Sequence, residues 1–258
     1  MARKKFKKSS NMKKAISTLQ SQMESVVKTF EQRQFDFLAP AAPTYDGMPL
    51  LYSTPVVLRG SDLYPTVQDP TGIAPASTTA AQIRLGDKIT LKSMDIRGEI
   101  RACQSSGAAA ERTNIVRLIL VKFIDSVVSL TNAEIVSAVL QQYPTQTGTA
   151  INSIQACYSS LKNVLTQENN LPIRKYKRIY DKTFLLTNPF LATASGDEPW
   201  RRRFEIKKSW KEGLVNQYGK FLNTQADLNQ VVLIALSDST VAPHPDFTLV
   251  SRVKYMDA

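Results

Sequence analysis

The chain has 258 residues, of which 43% are hydrophobic, and its 33 Lys or Arg against 22 Asp or Glu give a net charge of +11. This hydrophobic fraction excludes a wholly disordered chain, and the length suits one main domain. The two cysteines, Cys103 and Cys157, exclude a disulfide-stapled secreted fold, and no apolar run approaches the ~18 residues of a membrane span. We therefore expect a soluble protein, made in a reducing compartment, with no membrane span.

The first fourteen residues, MARKKFKKSSNMKK, contribute seven positive charges and no acidic residue. A short block of like charge repels itself and binds polyanions such as nucleic acid or an acidic membrane surface. A targeting signal is a third interpretation of the same residues. We call residues 1–14 the basic arm and predict that it is disordered. Its charged residues are Arg3, Lys4, Lys5, Lys7, Lys8, Lys13 and Lys14.

Residues 15–37 follow the arm with a helical pattern, in which apolar residues recur at alternate spacings of three and four and so fall on one helical face. The pattern predicts an amphipathic helix docked on its own domain or on a neighbouring copy. A membrane anchor is disfavoured because Glu24 and Glu31 lie on the polar face. The apolar stripe consists of Ile16, Leu19, Met23, Val26 and Phe30.

Residues 38–83 contain seven of the thirteen prolines. Proline lacks a backbone donor and is disfavoured both in helices and in central strands. The composition therefore predicts an extended connector that wraps over a surface.

Residues 84–258 have the pattern of strands. The segment KITLKSMDIRGEIRA alternates apolar and polar residues, as a half-buried strand does, and TNIVRLILVKFID is apolar on both faces, which indicates a central strand. Further strand patterns occur in KYKRIYDKTFLL, RRRFEIKKSWK, LVNQYGKFL, NQVVLIALSDS and FTLVSRVKYMD. Seven or eight strands without βαβ alternation predict an all-β, antiparallel sandwich or barrel of the jelly-roll kind.

A helical insertion interrupts the strands at residues 131–142. It begins with TNAE, in which Thr131 can cap the helix and Glu134 can reach back to form a capping box. Residues 151–165 fit either a helix or a strand, and both assignments stay open.

The sequence lacks the motifs of the common enzyme classes. Its one histidine, His244, lies between two prolines, the cysteines lack zinc-ligand spacing, and no glycine-rich phosphate-binding motif occurs. Asp197 and Glu198 are adjacent in a loop that we expect to be solvated, with a divalent cation between subunits as the alternative. We therefore predict no enzymatic activity, no cofactor and no metal.

Two strand segments, RKYKRIYDK and WRRRFEIKKSWK, interleave basic and aromatic residues. Such a composition is typical of surfaces that contact phosphates and stack bases. The aromatic residues Tyr176, Tyr180, Phe204 and Trp210 fall on the faces that their strands would bury, which favours a core role for them. The candidate nucleic-acid-binding residues on the opposite face are Arg201, Arg203, Lys207 and Lys211.

The order of these segments resembles that of capsid proteins from small circular, replication-protein-encoding single-stranded DNA viruses, the circovirus-like group. The resemblance covers residues 84–258 and lies in GDKI at the first strand, VRLILV in the second, YDK in the third and MD at the end of the last. It implies an eight-stranded antiparallel jelly roll, about 60 copies in a closed icosahedral shell, and a basic arm that lines the interior. Jelly-roll coat proteins of some small RNA viruses look similar.

Together these features predict a self-assembling capsid subunit that packages single-stranded nucleic acid, with DNA favoured over RNA. The expected locations are the virion and, during assembly, the host nucleus or cytoplasm, with nuclear import as a second use of the arm. The alternatives are a coat protein of a small RNA virus and a cellular β-sandwich module that binds nucleic acid. Oligomer size separates a capsid from a cellular module.

Overall fold

Within the residues that it describes, the computed structural model contains two α-helices, a 3-10 helix at Gly60–Asp62, two further helical residues at 157–158, and twelve strands. The described residues are 12–23, 32–39, 47–52, 54–63, 67–68, 83–84, 88–107, 110–141, 157–162, 175–191, 200–218 and 226–257. The helices are α1 (residues 12–23) and α2 (Asn132–Val139). The strands are β1 (Gln32–Ala39), β2 (Met48–Pro49), β3 (Val56–Arg59), β4 (Val67–Gln68), β5 (Ile83–Arg84), β6 (Lys88–Arg101), β7 (Thr113–Phe123), β8 (Tyr176–Thr187), β9 (Arg201–Tyr218), β10 (Ala226–Leu228), β11 (Val231–Ser237) and β12 (Asp246–Asp257).

The strands form two antiparallel sheets and one short parallel pair, β4 with β5. The first sheet has the order β1-β12-β6-β9-β10, with β2 also paired to β12, and the second has the order β3-β11-β7-β8. If the eight principal strands are lettered B to I along the chain, the sheets read B-I-D-G and C-H-E-F. This is the strand order of an eight-stranded jelly roll, so the predicted fold class is confirmed.

Two of these eight strands come from segments that the sequence pattern assigns to other structures. Residues 12–23 are helical, but Gln32–Ala39, at the end of the predicted helix, form β1 and pair with β12. Val56–Arg59, within the predicted connector, form β3 on β11. Both are edge strands, where proline-rich flanks are tolerated because only one side must pair. The jelly roll therefore includes residues before the predicted boundary at residue 84, which is a correction.

Strand β1 enters the first sheet with Gln32 opposite Met256 of β12. Ala39, at its other end, lies opposite Leu249. The start of β1 and the end of β12 are therefore neighbours at one end of the sheet.

The two central strands of the second sheet, β7 and β11, are buried on both faces. Side chains such as Leu118 and Leu233 pack in the core between the two sheets, whereas Ile119 and Ile234 pack in a second core beneath α2. Helix α2 contributes Ile135, Val136 and Val139 to that second core. The two-sided burial of β7 matches the continuous apolar run that predicted a central strand.

The capping box of α2 forms as the sequence predicts. The Glu134 backbone N–H donates to Thr131 Oγ1 at 3.3 Å, and the Thr131 backbone N–H donates to Glu134 Oε2 at 2.7 Å. These hydrogen bonds from Thr131 lower the pKa of Glu134. Downstream, residues 157 and 158 are helical, whereas Leu161 makes an antiparallel bridge to Leu140, so the described part of the ambiguous segment contains both kinds of structure.

Tyr176 joins β8 to the second core, and its ionisation makes folding sensitive to alkali. Its hydroxyl lies 2.7 Å from the Lys162 carbonyl oxygen and 3.1 Å from that of Val139. Burial raises the pKa of Tyr176 to about 12. The folded protein therefore holds this proton more tightly than the unfolded chain, whose tyrosine titrates near ~10. The stability from this group is complete below pH ~10 and is lost as the pH rises towards 12.

We expect Tyr176→Phe to be less stable than the wild type at pH 8, because the hydroxyl's hydrogen bonds are lost. Between pH 10 and 12 its stability should fall less steeply than that of the wild type. Melting temperatures of both proteins from pH 8 to 12 check this. Because burial also raises the pKa of Cys157 to about 12, the cysteine affects both curves and its contribution cancels in the comparison. Parallel curves would contradict the assignment.

Candidate nucleic-acid interface

The basic arm is described only at its end. Arg3, Lys4, Lys5, Lys7 and Lys8 lie outside the described residues. Lys13 and Lys14 lie in the first turn of α1 and are exposed. Their proposed contact with nucleic acid therefore stays a prediction.

Helix α1 exposes its apolar stripe. Ile16, Leu19 and Met23 are 50%, 58% and 67% exposed, and Met12, on the same stripe, is 67% exposed. Over residues 12–23 the helix therefore does not bury this stripe against the described jelly roll. Val26 and Phe30, which continue the pattern, lie outside the described residues.

The four predicted cations of β9 lie on the solvent face of the first sheet. Their alternating neighbours Phe204 and Ile206 are buried in the core, and Trp210 packs against it. The period-two assignment of the two faces is therefore correct. The exposed face presents Arg201, Arg203, Lys207 and Lys211.

Carboxylates pair with three of these four cations. Glu99 Oε2, on β6, lies 2.9 Å from Arg201 Nε and 3.7 Å from Arg203 Nε. Glu205, on β9 itself, lies 2.8 Å from Lys207 Nζ. Lys211 has no ion pair to a carboxylate among the described residues. The solvent face therefore carries both basic and acidic side chains, most of which pair with each other, and it is not uniformly basic.

Two cations from β12 join this face. Arg252 and Lys254 come beside Lys207 because β12 and β9 flank β6 in register, with Arg252 and Lys207 both opposite Asp95. They line a cleft of about 370 Å³, and Arg252 pairs with Asp36 of β1 at 2.9 Å. The alternation in FTLVSRVKYMD places both cations away from the core, but their proximity to β9 depends on strand order.

Among the described residues, the buried polar groups form no reactive centre that a substrate can reach. His244 Nδ1 lies 2.9 Å from Ser239 Oγ, but Ser239 is buried and no substrate can reach it without rearrangement. Cys103 and Cys157 are buried free thiols. Over the described ranges no group of three or more His, Cys, Asp or Glu has the geometry of a metal site, while Asp197 and Glu198 lie outside these ranges.

The part of the chain with assigned structure contains no helix long and apolar enough to cross a membrane.

Comparisons with known proteins show only distant similarity. No protein-family model matches the sequence, and a search of curated proteins found no match. A solved structure from Desmodium yellow mottle tymovirus is 9% identical, with a TM-score of 0.34, over 88% of this chain and 87% of that chain. Merkel cell polyomavirus VP1, in complex with disialyllactose, is 10% identical, with a TM-score of 0.20, over 88% and 94%. Neither similarity is strong enough to indicate the function of this chain.

Proposed function

We propose that the protein is a capsid subunit that assembles into a closed shell and packages single-stranded DNA. The observation that supports this best is the B-I-D-G and C-H-E-F strand order preceded by a basic arm. Eight-stranded jelly rolls of this kind build viral shells, and a polycationic segment before the first strand suits a polyanionic cargo. The choice of DNA rests on the resemblance to circovirus-like capsid proteins.

The proposed mechanism of packaging is electrostatic and tolerant of sequence. Lys and Arg side chains of the arm replace counterions along the phosphates, so binding weakens steeply as the salt concentration rises. Seven arm charges in ~60 copies give on the order of 400 positive charges per shell. A genome of a few thousand nucleotides needs more, and sheet cations such as Lys211 and Lys254 can add to the total.

Electron microscopy of the purified protein, followed by nuclease digestion, tests the proposal. We expect closed shells whose contents become sensitive to DNase once the shells are opened. Contents sensitive only to RNase would indicate a coat protein of an RNA virus instead. A protein that sediments only as monomer or dimer with nucleic acid present would be a cellular binding module and not a capsid.

The basic arm gives a second test. We expect a variant without residues 2–14 to form shells that contain little nucleic acid, because most of the concentrated charge is lost. The ratio of absorbance at 260 nm to that at 280 nm, measured on sedimented shells, reports the content. A matched control retains the seven arm cations in shuffled order and should package normally. Equal nucleic-acid content in all three shells would refute the role of the arm.

A further inference from the structure

Trp200 differs from the other aromatic residues of the basic segment. Phe204 is buried and Trp210 packs against the core, but Trp200, just before β9, is 36% exposed. Its backbone is fixed, because the Ala102 N–H donates to the Trp200 carbonyl oxygen at 2.7 Å. An exposed indole on an anchored backbone loses little conformational freedom when a flat ligand stacks on it.

Trp200 lines an open cleft together with three consecutive arginines. The cleft has a volume of about 520 Å³, within the usual range for small-ligand sites, and its lining residues are Trp200, Arg201, Arg202 and Arg203. The Arg201 guanidinium lies over the indole, with its Cζ 5.5 Å from the ring centroid. One face of the indole thus packs against a cation, and the exposed part of the ring is where a base can stack.

The charges of the cleft favour an anion. Arg201 and Arg203 share the single carboxylate of Glu99. Arg202 is exposed and makes no ion pair with any carboxylate in the described ranges. These four side chains therefore leave a net positive charge beside an aromatic ring, a combination that matches a phosphate linked to a planar base.

We propose that Trp200 and Arg202 form a nucleotide subsite in which an unpaired base stacks on the indole and its phosphate pairs with the guanidinium. The subsite prefers single strands, because bases in a duplex are already stacked on each other. This inference rests on the proposed packaging of nucleic acid. It adds a contact to the bases, whereas the proposed packaging mechanism depends only on the phosphate charges.

The fluorescence of Trp200 tests the stacking directly. The chain has two tryptophans, so Trp210→Phe leaves Trp200 as the reporter in the full-length protein. The probes are a 15-nucleotide oligothymidylate and an abasic deoxyribose-phosphate oligomer of the same length. We expect saturable quenching with oligothymidylate and little with the abasic oligomer. Equal quenching by both, or by neither while both bind, would overturn the stacking contact.

Substitutions at the subsite distinguish the contact to the base from the contact to the phosphate. Trp200→Leu should weaken oligothymidylate binding roughly 5- to 150-fold and leave the abasic oligomer unaffected, while Trp200→Phe should retain most of the affinity. Arg202→Gln should weaken both probes and reduce the salt slope by about one. Glu99→Gln removes the shared carboxylate and should strengthen both. Unchanged oligothymidylate binding by Trp200→Leu would refute the subsite.

The outcomes also separate this inference from the proposed function. If Trp200→Leu shells package normally and deletion of residues 2–14 empties them, the arm packages nucleic acid and the subsite does not exist. If the wild-type protein binds neither probe, the nucleic-acid function itself fails.

Discussion

Replacing Arg117 by methionine should destabilise the protein by about 3–5 kcal/mol, the usual cost of breaking one half of a buried ion pair. Arg117 lies in β7, with its side chain 8% exposed, and makes a two-pronged contact to Asp181 of β8 at 2.8 Å for both atom pairs. It also donates to the carbonyl oxygens of Ser159 at 2.6 Å and Cys157 at 3.4 Å. One side chain thus ties two strands to the segment that covers the second core. Without it, Asp181 is left as an unpaired charge.

Urea denaturation of the purified protein measures this effect. The control is Arg252→Met, which removes a pair of similar geometry to Asp36, where both side chains are about half exposed. Exposed pairs contribute little to stability because solvent screens the charges, so this variant should unfold close to the wild type. The double variant Arg117→Met with Asp181→Leu should recover part of the loss, because no unpaired charge remains. Equal effects of Arg117→Met and Arg252→Met would refute the dependence on burial.

Gly98→Ala should destabilise the protein by about 1–3 kcal/mol through overpacking, although alanine is a conservative change by size. Gly98 lies in β6, the central strand of the first sheet. A Cβ there would collide with the Thr248 carbonyl oxygen and would lie 2.5 Å from Phe204 Cζ. The nearest obstacle is backbone in the adjacent strand β12, which a change of side-chain rotamer cannot move.

The matched control for this substitution is Gly107→Ala. The nearest atom to a Cβ at residue 107 is Ser105 Oγ at 3.4 Å, so the change should alter stability by less than ~0.5 kcal/mol. Adding Phe204→Leu to Gly98→Ala should relieve the ring contact but not the backbone contact, and recovery should be incomplete. Full recovery would show that Phe204 alone requires the glycine. Urea midpoints of the three variants give the comparison.

The sequence predicts the strands better than it predicts where the jelly roll begins. Period-two alternation identifies β6, β9 and β12, because each has one buried and one solvent face. The sequence pattern does not reveal β1, because QRQFDFLA directly follows apolar residues with helical spacing. Phe37 fits both that spacing and the two-residue alternation of a strand. β3 is missed because four residues among prolines give too short a pattern, and pairing with β11 stabilises it only in the folded protein.

The sequence predicts which basic residues form the candidate interface, but it does not predict which carboxylates pair with them. Alternation alone places Arg201, Arg203 and Lys207 on a solvent face. Glu99, the partner of Arg201 and Arg203, comes from β6, about a hundred residues earlier, and only the register between β6 and β9 brings it there. The local signal for Trp200 is its position before three arginines, but its exposure depends on where β9 begins.

The pairing of β1 with β12 has a consequence for the two sides of the proposed shell. Gln32 lies opposite Met256, so the chain enters β1 and leaves β12 at the same end of adjacent strands. The start of β1 and the end of β12 therefore lie at the same place on the surface of the protein. A short tag placed after Ala258 would begin beside the entry to β1, and its accessibility in intact shells would show which side that entry faces.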